Sequence, residues 1–163
     1  MEKRHIGFEL TILDSESELS PEELLLIKEA EKARAKAYAP YSRFSVGAAV
    51  MMETGEIIMG NNQENASYPS GLCAERVAIF QAGAQHPKKT IKSIAICASS
   101  KDTQLMTPAA PCGNCRQSIA EYEQRQKSPI TILFRGESGP IYKCGSIADL
   151  LPLAFDSTFL GNS

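Results

Sequence analysis

The runs Ile91 to Ala98 (IKSIAICA) and Ile130 to Phe134 (ITILF) constrain the fold more than any other part of the chain. Both are short, mostly apolar and rich in β-branched residues, as expected of strands covered on both faces. Between them Cys115, Ile119 and Tyr122 fall at i, i+4 and i+7, one face of a helix that opens at or near Pro111-Cys112-Gly113-Asn114-Cys115. Strand, helix and strand in that order imply a right-handed crossover between parallel neighbours. Helices must then lie on the faces of a sheet.

Upstream, Ser20-Pro21-Glu22-Glu23 reads as a helix start: serine as N-cap, proline at the first helical position, and glutamate closing a capping box. Leu24, Ile27, Ala30, Ala33 and Ala37 then recur at helical spacing until Pro40 bars continuation. Phe44 to Met51 and Glu56 to Gly60 flank Glu53-Thr54-Gly55, the pattern of an antiparallel hairpin. A polar loop delivers the chain to Cys73. From Cys73 to Gly83 the pattern is helical, with the glycine as a stop. A last short helix is expected around Ser146 to Leu151. The architecture is an α/β fold: a three-layer α/β/α domain with a mixed five-stranded sheet. Residues 1–19 form an added segment, either an edge strand or a disordered arm; 20–156 form the main domain and 157–163 a tail.

At 163 residues the chain suits one domain, and no apolar run is long enough to cross a bilayer. The first residues lack the apolar core and cleavage site of a secretory signal, so the expected location is the cytoplasm. Formal net charge is −2, with Lys and Arg scattered among acids, which leaves no basic stripe to follow a nucleic-acid backbone. Five cysteines, an odd number with one CxxC, point in a reducing compartment to metal or catalysis rather than to disulfides.

Cys73 opens one helix and Cys112 and Cys115 open another, where the partial positive charge of a helix N-terminus favours thiolate. Three thiolates would hold Zn2+ with one of four positions left for water, the arrangement of a catalytic site. Glu75 lies two residues after Cys73 on the same first turn, within reach of that water as a proton carrier. Arg76 beside it would offset the negative charge of the sulfurs. Cys97, in an apolar strand, and Cys144, near a turn, read as inert small hydrophobes. A site closed by Cys144 as fourth ligand would be structural instead.

The spacing CxE followed by PCxxC is the signature of zinc-dependent deaminases in its all-cysteine form. Beyond it, Ala39-Pro40-Tyr41-Ser42-Arg43-Phe44-Ser45-Val46-Gly47-Ala48-Ala49, Asn62-Gln63-Glu64-Asn65-Ala66-Ser67-Tyr68 and Leu150-Leu151-Pro152-Leu153-Ala154-Phe155 occur in order. Together these blocks resemble the cytidine deaminases of the small homotetrameric type with three cysteine ligands. The resemblance implies zinc on Cys73, Cys112 and Cys115, proton transfer by Glu75, and deamination of cytidine and deoxycytidine in pyrimidine salvage. It implies that Asn62 and Glu64 bind the ribose hydroxyls and that Phe44 packs on the pyrimidine. The Ala74 backbone would meet the polar edge of the base, Tyr68 would stand at the rim, and Phe155 would arrive from a neighbouring subunit of a homotetramer. Residues 1–19 are additional to the family core, Ala84-Gln85-His86-Pro87-Lys88-Lys89-Thr90 is longer than usual, and Pro69 and Gly71 depart from the family's loop. Three other readings share the cysteines: a blasticidin-type aminonucleoside deaminase, an editing deaminase acting on RNA or DNA, which the weak net charge argues against, and a noncatalytic zinc-stabilised binding module.

Overall fold

The computed structural model describes residues 1–161; Asn162 and Ser163, at the end of the expected 157–163 tail, lie outside the described residues. In chain order the elements are β1 (Thr11–Leu13), α1 (Pro21–Arg34), β2 (Phe44–Met52), β3 (Ile57–Asn61), α2 (Ala74–Gln85), β4 (Ile91–Ser100), α3 (Gly113–Gln126), β5 (Thr131–Arg135) and β6 (Ile141–Cys144), with short 3-10 turns between some of them. The strands form one mixed sheet in the order β1-β6-β5-β4-β2-β3. Only β4 and β5 run parallel, and α3 is their crossover. The sheet thus has six strands and not the expected five. The sixth is β1, from the added segment, which pairs antiparallel with β6 from Thr11↔Lys143 to Leu13↔Ile141.

Strand alternation divides the core into two layers. On one face Leu26, Ile27 and Ala30 of α1 pack against Ala49, Met51, Ala95, Cys97 and Leu133. On the other, Ala78, Ile79 and Ala82 of α2 and Ile119 of α3 pack against Val50, Ile94, Ile96, Ile132 and Phe134. The three-layer α/β/α arrangement is as expected. β1 continues the alternation, because Leu10 and Leu13 join opposite clusters.

The start of α1 matches its sequence signature: Ser20 Oγ accepts from Glu23 N–H at 3.3 Å and the Glu23 carboxylate accepts from Ser20 N–H at 2.9 Å. Its end comes earlier than Pro40 alone suggests, at Arg34. Gly83 is not a stop, since α2 runs on to Gln85. A methyl group there would lie 2.3 Å from the Tyr122 hydroxyl, so the glycine admits the α3 tyrosine instead. The last expected helix is a single 3-10 turn, Ile147–Asp149, capped by Ser146.

Register brings one end of the sheet together for function. β2 begins where β4 ends, with Phe44 opposite Ser100, and β3 ends beside Gly47 at Asn61. The chain leaves β4 there to begin α3, and leaves β3 there to begin α2. Gly60 allows the close approach: a methyl on it would meet Ala78 N at 2.4 Å and Ala74 O at 2.6 Å, so any larger residue would lift the first turn of α2 off the sheet.

The first residues are fastened by charge as well as by β1. In the 3-10 turn Glu16–Glu18, Glu16 Oε1 accepts from Lys28 Nζ at 2.9 Å and from Arg135 Nη1 at 2.6 Å. Arg135 is 9% exposed on β5, and its other carboxylate partner is Glu31 at 3.3 Å. Hydrogen bonds from Lys28 and then Arg135 hold the Glu16 carboxyl below its ordinary value of 4.5. A depressed carboxyl stabilises the fold above its unfolded pKa and loses that contribution as pH falls through the folded value. Glu16→Gln is therefore expected to cost about 1 kcal/mol at pH 7, discounted for the partial exposure of Glu16. In urea unfolding the gap from the parent should shrink as pH drops below 4.5.

Candidate metal centre and its cavity

Cys73 is the N-cap of α2 and Cys112 the N-cap of α3, both in extended backbone, and neither helix has a side-chain cap. Cys115 sits in the first turn of α3 and is fully buried. The three sulfurs lie within 4.8 Å of one another. Cys73 Sγ is 3.9 Å from Cys112 Sγ, which is 3.5 Å from Cys115 Sγ. None of the three forms a disulfide. A tetrahedral zinc with bonds of about 2.3 Å would separate its sulfur ligands by about 3.8 Å, so the trio fits that metal in donor type and in spacing. Among the described residues Cys144 is outside the cluster; it lies on β6 with its thiol pushed up by burial. Cys97 is fully buried in β4, and burial pushes its thiol up to about 12, as suits an inert residue.

Charge at the centre is arranged around Cys73. Hydrogen bonding with Cys115 and then the Arg76 guanidinium pull its thiol down to about 5, against burial. Cys115 is pushed the other way, first by its hydrogen bond with Cys73 and then by burial. Arg76 Nη2 points at Cys73 Sγ at 3.8 Å, while its Nε is buried without a partner among the described residues. Glu75 is 5% exposed on the first turn of α2. Burial raises its carboxyl pKa; the Cys73 charge adds to that, and hydrogen bonds from its own backbone and from Cys115 oppose it.

A cavity of about 420 Å³ opens beside Cys73, lined by Asn62, Glu64, Tyr68 and Arg76 among others. The loop carrying Asn62 and Glu64 is stitched on both sides: Glu64 N–H donates to Tyr38 O at 2.9 Å, and Gln63 and Leu72 exchange backbone bonds of 2.9 and 3.0 Å. Asn62 Oδ1 accepts from Val46 N–H at 2.8 Å and its Nδ2 donates to Phe44 O at 2.9 Å, which prolongs the β2 edge beyond the last strand pair. One further N–H of that amide stays uncommitted to these bonds. Tyr68 is 75% exposed, with its ring 5.9 Å from that of Tyr41. Phe44 is half-buried at the start of β2, and Ala74 is fully buried. Phe155 is not brought to this cavity: it lines a separate one of about 530 Å³, its carbonyl accepts from Gln117 Nε2, and its ring stacks on Phe159 at 5.5 Å.

Three contributors went unassigned in the sequence. Tyr41 and Ser42 line the cavity and bind Glu64. Arg116, next to Cys115, donates from Nε to Pro111 O at 2.8 Å and from Nη1 to Leu150 O at 2.6 Å, tying the PCGNC turn to the C-terminal segment. Tyr41 and Ser42 lie inside a quoted block and Arg116 directly follows another, which was the available signal; Glu64 and Leu150, 22 to 34 residues away, were not visible as their partners.

Residues 21–128, more than half of the chain, match the family model described as the cytidine and deoxycytidylate deaminase zinc-binding region. A cytidine deaminase of Halalkalibacterium halodurans is 42% identical over 131 residues, 80% of this chain and 92% of its own length. One from Sporosarcina psychrophila is 40% identical over 130 residues, covering 80% and 88%. Among solved structures, the cytidine deaminase of Burkholderia pseudomallei superposes with a TM-score of 0.70 at 40% identity, covering 80% of this chain and 97% of that one. The Mycobacterium tuberculosis enzyme does so at 0.61 and 33%, covering 81% and 95%.

Serine at Cys112 or Cys115 is expected to strip the purified protein of zinc, whereas Cys97→Ser and Cys144→Ser should retain about one ion per chain, read by elemental mass spectrometry. Arg76→Gln should keep the fold and weaken zinc retention about tenfold against a competing chelator. Unchanged retention would remove the charge-balancing role of the guanidinium.

Proposed function

The chain belongs to the cytidine and deoxycytidylate deaminase family, and from that premise we propose that it hydrolyses the exocyclic amine of cytidine and deoxycytidine. The products are uridine or deoxyuridine and ammonia, and the setting is pyrimidine salvage in the cytoplasm. The observation that carries this reading is the convergence of three unpaired thiols at two uncapped helix ends, with a buried glutamate on the same first turn. Cys73, Cys112 and Cys115 would hold the zinc. When bound, it supplies a Lewis acid able to bring the pKa of water from about 15.7 towards about 7.

Glu75 is the proton carrier in this scheme. A carboxyl raised by burial is better matched to accepting and returning protons near neutral pH than an ordinary one. One proton of the attacking water travels on Glu75 to ring N3 and a second to the amino group, which departs as ammonia. The proton count balances, with water as the only co-substrate. Asn62 and Glu64 are assigned to the sugar hydroxyls, in keeping with their place in the cavity beside Cys73. Phe44 is assigned to the face of the pyrimidine, the Ala74 backbone to its polar edge and Tyr68 to the rim. Phe155, 57% exposed in its own chain, is assigned to a neighbouring subunit's site, which makes the working assembly a homotetramer. Among the described residues no helix is long and apolar enough to cross a membrane.

Loss of cytidine absorbance on adding enzyme tests the activity. Turnover should disappear with a strong chelator and return with zinc. Glu75→Gln should keep its zinc and lose about a thousandfold in kcat. Full activity in that variant would remove Glu75 as the proton carrier, zinc bound without any turnover by the parent would leave a noncatalytic zinc module, and preference for blasticidin S over cytidine would move the substrate to the bulkier aminonucleosides.

A further inference from the structure

Tyr41 and Ser42, in the turn Pro40–Arg43, line the cavity without a role in the scheme above. Arg43 has φ 57, in the left-handed region, and the turn doubles back there. On its outer side it is tied to the exit of β4: Lys101 N–H donates to Arg43 O at 3.0 Å, and Arg43 Nε pairs with Asp102 Oδ1 at 3.0 Å. On its inner side all donors converge on one carboxylate. Tyr41 and Ser42 N–H groups donate to Glu64 Oε2 at 2.8 and 3.2 Å, and the Ser42 hydroxyl donates to Glu64 Oε1. Phe44 N–H donates to Ser42 Oγ at 3.0 Å, which turns the hydroxyl hydrogen away from that amide and towards the carboxylate.

The arithmetic of acceptors gives this arrangement a consequence. A carboxylate offers about four lone-pair positions, and three are taken by a turn 22 residues away in the chain. Burial alone would raise the Glu64 carboxyl, yet the Ser42 hydroxyl and the two backbone N–H groups hold it below its ordinary value. The side chain is thereby kept ionised in one rotamer, with one acceptor left on Oε1 for the cavity. An unclamped glutamate would lose rotamer freedom on meeting a ligand, at a cost of up to about 2 kcal/mol.

We infer that Ser42 is a positioning residue: its hydroxyl fixes Glu64 so that the remaining carboxylate acceptor is presented to a sugar hydroxyl of the nucleoside. The inference rests on the reading of Glu64 as a sugar contact. Ser42 touches no substrate atom in this scheme and acts only through Glu64.

Steady-state kinetics on cytidine and on 2′,3′-dideoxycytidine, which lacks both sugar hydroxyls, test it; if the analogue is turned over slowly, its inhibition constant against cytidine serves instead. Ser42→Ala should raise KM for cytidine about tenfold with kcat within about twofold, and should change the constant for the dideoxy analogue less than about twofold. Ser42→Thr, which restores the hydroxyl, should recover most of the loss. Glu64→Gln should show the same selectivity for the hydroxylated substrate. Equal losses on both nucleosides, or no loss on cytidine, while Glu64→Gln stays selective, would overturn the Ser42 inference and leave the Glu64 assignment standing. A Glu64→Gln variant without selectivity overturns both. Inactivity of the parent on cytidine removes the proposed function itself.

Discussion

The structure depends on two helix N-termini meeting at one end of a sheet. Three sulfurs within 4.8 Å are an electrostatic problem before they are a site. Two thiolates about 4 Å apart repel by about 4 kcal/mol at an effective dielectric of 20. A helix N-terminus returns about 0.3–1 kcal/mol to each, and a partly solvated arginine contact a similar amount. Those terms do not close the gap for three thiolates. A divalent cation would close it; without one the cluster relieves the repulsion by keeping a proton, the direction in which Cys115 is pushed.

The same first turn that brings Cys73 to the centre also buries Glu75. Glutamates are seldom buried without a charged partner, because the ionised form loses its hydration. Here the neighbours at α2 positions 74, 78 and 79 are apolar and inaccessible, so burial dominates the shift of the Glu75 carboxyl. Glu64 has the opposite environment. It sits in a partly open cavity and is held as a carboxylate by three donors from one turn. Two glutamates eleven residues apart are thereby pushed in opposite directions by burial in one case and hydrogen bonding in the other, which suits the proposed division between proton transfer and sugar binding.

Beyond the catalytic end, the first 19 residues alter the far edge of the sheet. β1 covers β6, and the turn after it places Glu16 on Arg135. Covering an edge strand removes a row of free backbone groups that would otherwise pair with another chain. The Burkholderia pseudomallei structure is covered almost completely by 80% of this chain, so about a fifth of the chain lies outside that comparison.

Local patterns in the sequence determined the helices and their starts, the hairpin, the parallel crossover and the cysteine spacing, because capping, turn chemistry and periodicity act over a few residues. Ser20-Pro21-Glu22-Glu23 specifies its own cap whatever surrounds it, and Cys73 and Cys112 follow from where their helices begin. Tertiary structure decided what depends on distant partners: whether residues 11–13 find β6, whether Gly83 ends a helix or admits Tyr122, and which groups occupy the oxygens of Glu64. Those outcomes are set by packing and hydrogen bonds between segments tens of residues apart, and no local pattern records which partner arrives.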